Sequence, residues 1–329
     1  MAVDVSRAVW VVSGDDPARR ASYRYVALIP AAELGARVLR CDPETNPDTF
    51  LAEHRPTALV LGKALHQGFV TLAEAAKARG IPVLAAMCDW LFEDPLNITL
   101  ARIADRVVVQ TRPMATEIHR HFGVDAAIIE EPYEGPRGQP EFAPGATPRL
   151  LWFGHAANLD TLATGVAQAA AAVTGRLDIA VVTNRPDLVP DALSGLPHVS
   201  ERIRITALPW SLQEQWRQLA ACDAVLLPSH PAKEKIVKGH NRLVQSIHAG
   251  RLAIAYSLPQ YQELAEFCWC GPELGDGLAW ALANPSQALS RIVGGQDYID
   301  RRFPPSRIAR RWREEIARLA LVPAFSRAT

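Results

Sequence analysis

The run from Asp223 to Tyr261, DAVLLPSHPAKEKIVKGHNRLVQSIHAGRLAIAYSLPQY, leaves little choice of architecture. Ala224-Val225-Leu226-Leu227 is apolar throughout and is stopped by Pro228, the pattern of a short, fully buried strand. A loop carrying Lys233, Lys235 and Lys238 follows, and a helix is predicted from about His240 to Ala249, ended by Gly250. Leu252 to Tyr256 is then a second apolar run. Strand, loop, helix, strand is the unit of a parallel α/β sheet. At helical spacing Leu243, Val244 and Ile247 share one face, while Lys238, Asn241, Arg242 and Gln245 share the other. Four cations and one carboxylate crowd between Lys233 and Arg242 in a chain of zero formal net charge. Two readings stand: a solvated polar face, or an anion site beside the free N–H groups of a helix start.

A chain of 329 residues is long for one core, so two domains are expected. Nearly half the residues are hydrophobic and the mean hydropathy is close to zero, as in a soluble globular enzyme. A pI near neutrality gives no pull toward nucleic acid or an anionic membrane. The five cysteines, Cys41, Cys88, Cys222, Cys268 and Cys270, suit neither a disulfide framework nor a zinc site, and are read as reduced, mostly buried thiols. Asp4 and Arg7 interrupt any apolar start, and no run is long enough to span a bilayer. A cytoplasmic protein with at most peripheral membrane contact is expected.

The first half alternates strands and helices. Strands are predicted at Ala8–Val12, Arg37–Arg40, Thr57–Leu61, Pro82–Met87, Arg106–Gln110 and Asp125–Ile129. Helices are predicted at Ala21–Leu34, Val70–Arg79 and Leu96–Ala104, with another opened by Pro113 and closed by Gly123. Glu134 to Pro148 is dense in proline and glycine and reads as an interdomain linker. The alternation then restarts with a strand at Arg149–Phe153, a turn at Gly154-His155 and a helix over Asn158–Val173. Strands at Leu177–Val182 and within Val199–Leu208, and helices at Leu212–Ala221 and Gly277–Ala283, complete the second sheet around the lysine-bearing unit. Ser306 to Leu319 reads as a long amphipathic helix. The fold class is α/β, with two doubly wound parallel sheets. Neither half holds a P-loop or a G-x-G-x-x-G after its first strand, which argues against a kinase or a typical dehydrogenase.

LLWFGHAANLDTL from Leu150, DAVLLPS from Asp223 and KGHNRLVQSIHAGRLAIAYSLPQYQE from Lys238 resemble GT-B glycosyltransferases, close to the family 4 group. ASYRYVALIPAAEL, VLAAMCDWLFEDP and RVVVQT in the first half look like the acceptor-side domain of such enzymes. The resemblance implies two Rossmann-like domains facing a cleft: an acceptor-side domain over residues 1–134 and a nucleotide-sugar donor domain over 149–303. Residues 304–329 would form a helix crossing back to the first domain. Retaining members of the family carry two glutamates eight positions apart, and the corresponding positions here are Val237 and Gln245.

Candidate site residues follow from the strand ends. Gly154 lets a phosphate approach the backbone, and His155 beside it is positioned to donate to phosphate or sugar; the plain alternative is a tight turn with an exposed histidine. Asn158 is read as a helix cap. Lys238, Asn241 and Arg242 are expected to grip the donor diphosphate, with Lys233 joining them and Lys235 solvated. Trp210 either stacks on the base or packs on its own helix. Asp89, at the end of the fourth strand, is the general-base candidate, with a cap or salt bridge as the plain alternative. Gly14, Asp15 and Arg24 mark the acceptor or phosphate side, and Asp15 and Asp16 rival Asp89 as base. His119 and His121 are read as surface residues without metal-ligand spacing, and Tyr261 as core.

The expected activity is transfer of a sugar from a nucleotide-diphosphate sugar to an acceptor hydroxyl on a carbohydrate, lipid-linked or protein acceptor. Surface polysaccharide or glycoconjugate synthesis is the expected setting, with no cofactor and no metal. Two alternatives stay open: a nucleotide-sugar epimerase or polymer phosphotransferase, and a non-catalytic nucleotide-sugar-binding module.

Overall fold

The structure is a computed structural model describing residues 4–14, 16–196 and 202–321. The chain runs β1 (Val9–Val12), α1 (Ala21–Tyr23), a π-helical turn (Arg24–Leu28), α2 (Ile29–Leu34), β2 (Arg37–Arg40), α3 (Pro47–His54) and β3 (Leu59–Leu61). It continues through α4 (Gly68–Ala78), β4 (Val83–Ala86), α5 (Pro95–Ile103), β5 (Arg106–Val109), α6 (Arg112–Phe122) and β6 (Ala126–Ile128). An irregular stretch leads to β7 (Arg149–Gly154), α7 (Leu162–Ala172), β8 (Leu177–Thr183), α8 (Val189–Leu193), β9 (Ile203–Pro209) and α9 (Leu212–Ala221). Then come β10 (Ala224–Leu227), α10 (Lys233–Ile236), α11 (Asn241–His248), β11 (Leu252–Tyr256), β12 (Trp269–Gly271), α12 (Leu274–Ala283), α13 (Pro285–Arg302) and α14 (Pro305–Leu321). The described residues form two parallel six-stranded sheets with flanking helices, of order β2-β1-β3-β4-β5-β6 and β12-β11-β10-β7-β8-β9.

The chain divides into two compact units. The first comprises Met1–Pro132, Val237–Gly239 and Phe303–Thr329; the second comprises Tyr133–Ile236 and His240–Arg302. The inner strands β1, β3, β4 and β10 are buried along their whole length, as expected where helices cover both faces of a parallel sheet. The edge strand β2 instead exposes Arg37 and Arg40 at its two ends, with half-buried Val38 and Leu39 between them, and its charges discourage further strand pairing.

In the first unit, α14 closes the core. Ile308, Trp312 and Ile316, four residues apart, are all buried, and Trp312 meets Trp10 edge-on at 6.2 Å. The helix predicted over Ala21–Leu34 forms, but with the π turn inside it. Trp10 Nε1 donates to the Val26 carbonyl in that turn at 3.1 Å. Gly35 ends the helix at φ 64°, a left-handed conformation that side-chain-bearing residues resist.

In the second unit, the 134–148 stretch has no helix or strand, as its composition dictates, yet it is fastened along its length. Gly138 N–H donates to the His248 carbonyl (2.9 Å) and Glu141 N–H to the Gly250 carbonyl (3.0 Å), while Phe142 is buried in the core. Gln296 Nε2 donates to the carbonyls of Gly138 (2.8 Å) and His248 (2.9 Å). The predicted helix at Asn158 begins as a 3-10 segment over Ala156–Thr161 and becomes α-helical only at Leu162. Val199 lies outside the described residues; the strand there starts at Ile203. The long helix α13 was not among the elements expected from the sequence. Here Gly295 lies against Ile247, where a Cβ would come within 2.6 Å of Cγ2, so the glycine serves close helix packing. All five cysteines are free thiols.

Candidate functional site

In the second sheet the strand order reverses between β7 and β10, and such switch points open a crevice at the carboxyl ends of the strands. Gly154 ends β7 there. A Cβ on it would lie 3.4 Å from Arg242 Nη1 and 3.3 Å from the Trp152 ring. Arg242 stands in the first turn of α11, whose start has no side-chain cap. Its Nη1 is buried and has no hydrogen-bond partner. The same guanidinium lies next to Tyr261, which is 3% exposed and whose hydroxyl burial pushes toward a higher pKa. A buried guanidinium nitrogen without a partner, on the first turn of a helix whose start has no side-chain cap, is chemically suited to an anion. Asn241 opens the same turn and is half-buried.

His155 caps the turn after β7. Its Nδ1 accepts the Ala157 N–H at 3.2 Å, and its Nε2 faces Asn184 Nδ2 at 3.3 Å. Asn184, which the sequence did not single out, also accepts the Ala156 N–H at 2.8 Å and so fixes this turn. Asn158 is not the cap expected of it, because His155 fills that role; its Oδ1 accepts from Lys235 Nζ at 2.7 Å. Lys235 is therefore engaged rather than solvated, with its side chain only 12% exposed. Lys233 is exposed in α10. Trp210 Nε1 donates to Gln215 Oε1 at 2.9 Å, which ties the ring to its own helix α9. Gln245, expected on a polar outer face, is 1% exposed.

The first unit gathers a second set at the carboxyl ends of β1, β3 and β4. Gly14 follows β1 at φ 91°, Lys63 follows β3 and Asp89 follows β4. Lys63 and Lys238 both form ion pairs with the Asp89 carboxylate. Lys238 thus belongs with Asp89 and not, as the helical spacing suggested, on the face of α11, which begins three residues later. The physical reason is that its segment docks locally. Thr111 Oγ1 donates to the Val237 carbonyl at 2.8 Å, and Gly239 lies against the Glu131 carboxylate, which a Cβ would push aside. Thr111 also caps α6 through the Met114 N–H at 3.2 Å.

Tyr23 is a residue that sequence reasoning missed. Its fully buried hydroxyl accepts the Ser13 N–H (3.2 Å) and donates to the Lys63 carbonyl (2.8 Å), locking two strand-end turns together. Arg24 is 5% exposed in the π turn and donates to the Ala18 carbonyl at 2.8 Å. Asp15 lies outside the described residues. Burial raises the pKa of the Cys88 thiol beside Asp89, so it stays protonated. His119 pairs with Asp125 on the surface, and His121 stacks on Phe92 at 4.3 Å.

No family model matches the chain, and no curated protein matches it in sequence. Solved structures do match in shape. Anabaena HepE in complex with UDP and glucose superposes with a TM-score of 0.70 at 12% identity, covering 95% of this chain and 99% of HepE. A glycosyltransferase from Rickettsia africae gives 0.65 at 10% identity, covering 96% of this chain and 99% of its own. The lipopolysaccharide outer core galactosyltransferase WaaB gives 0.61 at 10% identity, covering 96% and 100%. The fold is GT-B. At such identities the likeness carries the fold alone, over 95–96% of the chain, while the residues at the strand ends are this chain's own.

Proposed function

We propose that this protein is a glycosyltransferase, moving a sugar from a nucleotide-diphosphate sugar to an acceptor hydroxyl in the synthesis of a surface polysaccharide or glycoconjugate. The observation that carries the reading is Arg242, whose buried Nη1 lies beside Gly154 at the switch point without a hydrogen-bond partner. HepE, similar in fold, has been captured with UDP-glucose. In the proposed reaction the acceptor oxygen forms a bond to the anomeric carbon as the bond from that carbon to the diphosphate oxygen breaks. Asp89 takes the acceptor proton, its carboxylate held in place by Lys63 and Lys238. Arg242, the first-turn N–H groups of α11 and Lys233 neutralise the charge that grows on the leaving diphosphate. Gly154 lets the phosphates close on the backbone, Asn241 helps to grip them, His155 meets the sugar or phosphate, and Trp210 borders the base. Because cations supply this neutralisation, we assign no metal or cofactor to the reaction, and place it in the cytoplasm. Positions 237 and 245 hold valine and glutamine, so neither supplies a carboxylate, and a single base at Asp89 suits an inverting displacement.

The test is calorimetric titration with UDP, GDP and ADP beside the matching nucleosides. Arg242→Ala is expected to weaken diphosphate binding by about 1.5–3 kcal/mol, roughly ten- to a hundredfold, and to leave nucleoside binding and Tm nearly unchanged. Equal losses for nucleoside and diphosphate would remove Arg242 from the phosphate site.

A further inference from the structure

The edge strand β12 brings together two thiols that the proposed transfer does not use. Cys268 enters the strand in extended backbone, at φ −139° and ψ −179°, and Cys270 stands two residues on, so both sulfurs lie on one face. Cys268 is fully buried and its Sγ donates to the Leu264 carbonyl at 3.3 Å, whereas Cys270 is half-buried. Three donors converge on the Cys270 sulfur: the Cys268 thiol, the Ser257 hydroxyl and the Leu258 N–H. Gln262 Nε2 donates to Ser257 Oγ at 2.8 Å, which leaves the Ser257 hydrogen for the sulfur. The cradle forms because the 3-10 segment Pro259–Phe267 arches from Leu258 at one end to Cys268 at the other. Its start is fixed to β12 through the Ser257 N–H, which donates to the Gly271 carbonyl at 3.2 Å. A sulfur so surrounded holds negative charge. The Cys268 thiol above all keeps the Cys270 pKa below its ordinary value against the pull of burial, and Ser257 and Leu258 add to this. Cys268 is pushed the other way by the same contact and by burial, and so keeps its proton. Burial also raises Cys41, Cys88 and Cys222.

We propose that Cys270 is a modification site for low-mass disulfides, with Cys268 as the resolving thiol that closes a reversible Cys268–Cys270 bridge. The Cys270 thiolate attacks one sulfur of the disulfide; a mixed disulfide forms and one low-mass thiolate leaves. Cys268 then loses its proton to solvent and attacks the Cys270 sulfur; the internal bridge forms and the second thiolate leaves. Two electrons pass from the cysteine pair to the low-mass disulfide, which ends as two thiols. Two residues of extended strand span about 6.6 Å, within the Cα separation of up to about 6.8 Å that a disulfide accepts. The span is close to that limit, which leaves the bridge easy for a thiol to reopen. This site is independent of the glycosyltransferase reading and survives or falls without it.

The full chain is treated at pH 7 with limiting iodoacetamide, and the five cysteines are compared by peptide mass mapping. Cys270 is expected to be alkylated at least about tenfold faster than Cys41, Cys88, Cys222 or Cys268 in the folded protein. In urea all five should react alike, which assigns the selectivity to the fold. Cys268→Ala and Ser257→Ala should each slow Cys270 several-fold at pH 7 and move its pH–rate midpoint upward, with Tm nearly unchanged. Glutathione disulfide should convert the native chain to a form two hydrogens lighter, with the loss in the peptide holding Cys268 and Cys270, and dithiothreitol should restore it. Cys268→Ala should stop instead at a glutathione adduct on Cys270. The proposal is overturned if Cys270 reacts no faster than the buried cysteines, if its rate and midpoint are unmoved in both variants, or if the native chain also stops at the glutathione adduct.

Discussion

Asp89 is the residue on which the proposed chemistry turns, and its surroundings separate its role from that of Arg242. Two lysines hold its carboxylate, and the other residues grouped with it belong to the first unit. Asp89→Asn keeps the shape and removes the proton acceptor. Turnover should fall by on the order of a hundredfold or more while donor affinity stays within a factor of about two, measured by single-turnover transfer and by calorimetry. A normal rate in that variant would move the base elsewhere, with Asp16 next in line. A second residue sets a pH response. His248 is 1% exposed, stacks on Tyr133 at 4.0 Å and bonds Asp300 at 3.2 Å through Nε2. Burial lowers its pKa more than the Asp300 carboxylate raises it, and Arg137 lowers it further. The unfolded chain therefore takes up a proton near pH 6.5 that the folded chain refuses. Stability is full above that pH and should fall as acid is added, by up to about 1.4 kcal/mol per pH unit for this one group. Urea midpoints between pH 7.5 and 5.5 should fall less steeply in His248→Asn; parallel profiles would assign the acid sensitivity to other groups.

The elements show where the sequence was readable. Every strand named in advance forms, because a buried parallel strand writes itself as a short apolar run between breakers, as Ala224–Leu227 and Leu252–Tyr256 do. Gly154 and Arg242 could be singled out in advance because one ends the first strand of the second sheet and the other stands in the first turn of the helix after the lysine-bearing loop. The partners were not legible. Lys238 on Asp89, Lys235 on Asn158 and Tyr23 between two turns each join residues brought together only by the fold. Glycine and proline also mislead when read alone. They correctly deny regular structure to 134–148 but conceal that this stretch is strapped to α11 and α13. The strap's main fastener is Gln296, which is fully buried and serves two carbonyls at once. Gln296→Leu should cost about 1–3 kcal/mol in urea unfolding, since both carbonyls lose a donor while buried. Arg137→Ala, which removes exposed ion pairs to Asp297 and Asp300, should cost no more than about 1 kcal/mol. A larger loss for Arg137 than for Gln296 would reverse this account of the strap.

At the scale of the whole molecule, the two units differ in how the chain supplies them. The second is built almost entirely from one continuous run, residues 133–302, interrupted only at Val237–Gly239. The first depends on a distant segment, because Ile308, Trp312 and Ile316 of α14 are part of its core. Residues 133–302 expressed alone should therefore give a cooperative thermal transition, whereas residues 1–132 should not do so until a peptide spanning 303–321 is added. A stable, cooperatively folding 1–132 fragment would show that α14 is dispensable to that core. The same dependence bears on synthesis at the ribosome. The half of the protein made first has to wait, its Trp10 face uncovered, until Trp312 has emerged, while the half made second has all of its residues to hand by Arg302. Birth order and folding order are thus reversed, and the interval between them is when the nascent chain most needs a chaperone.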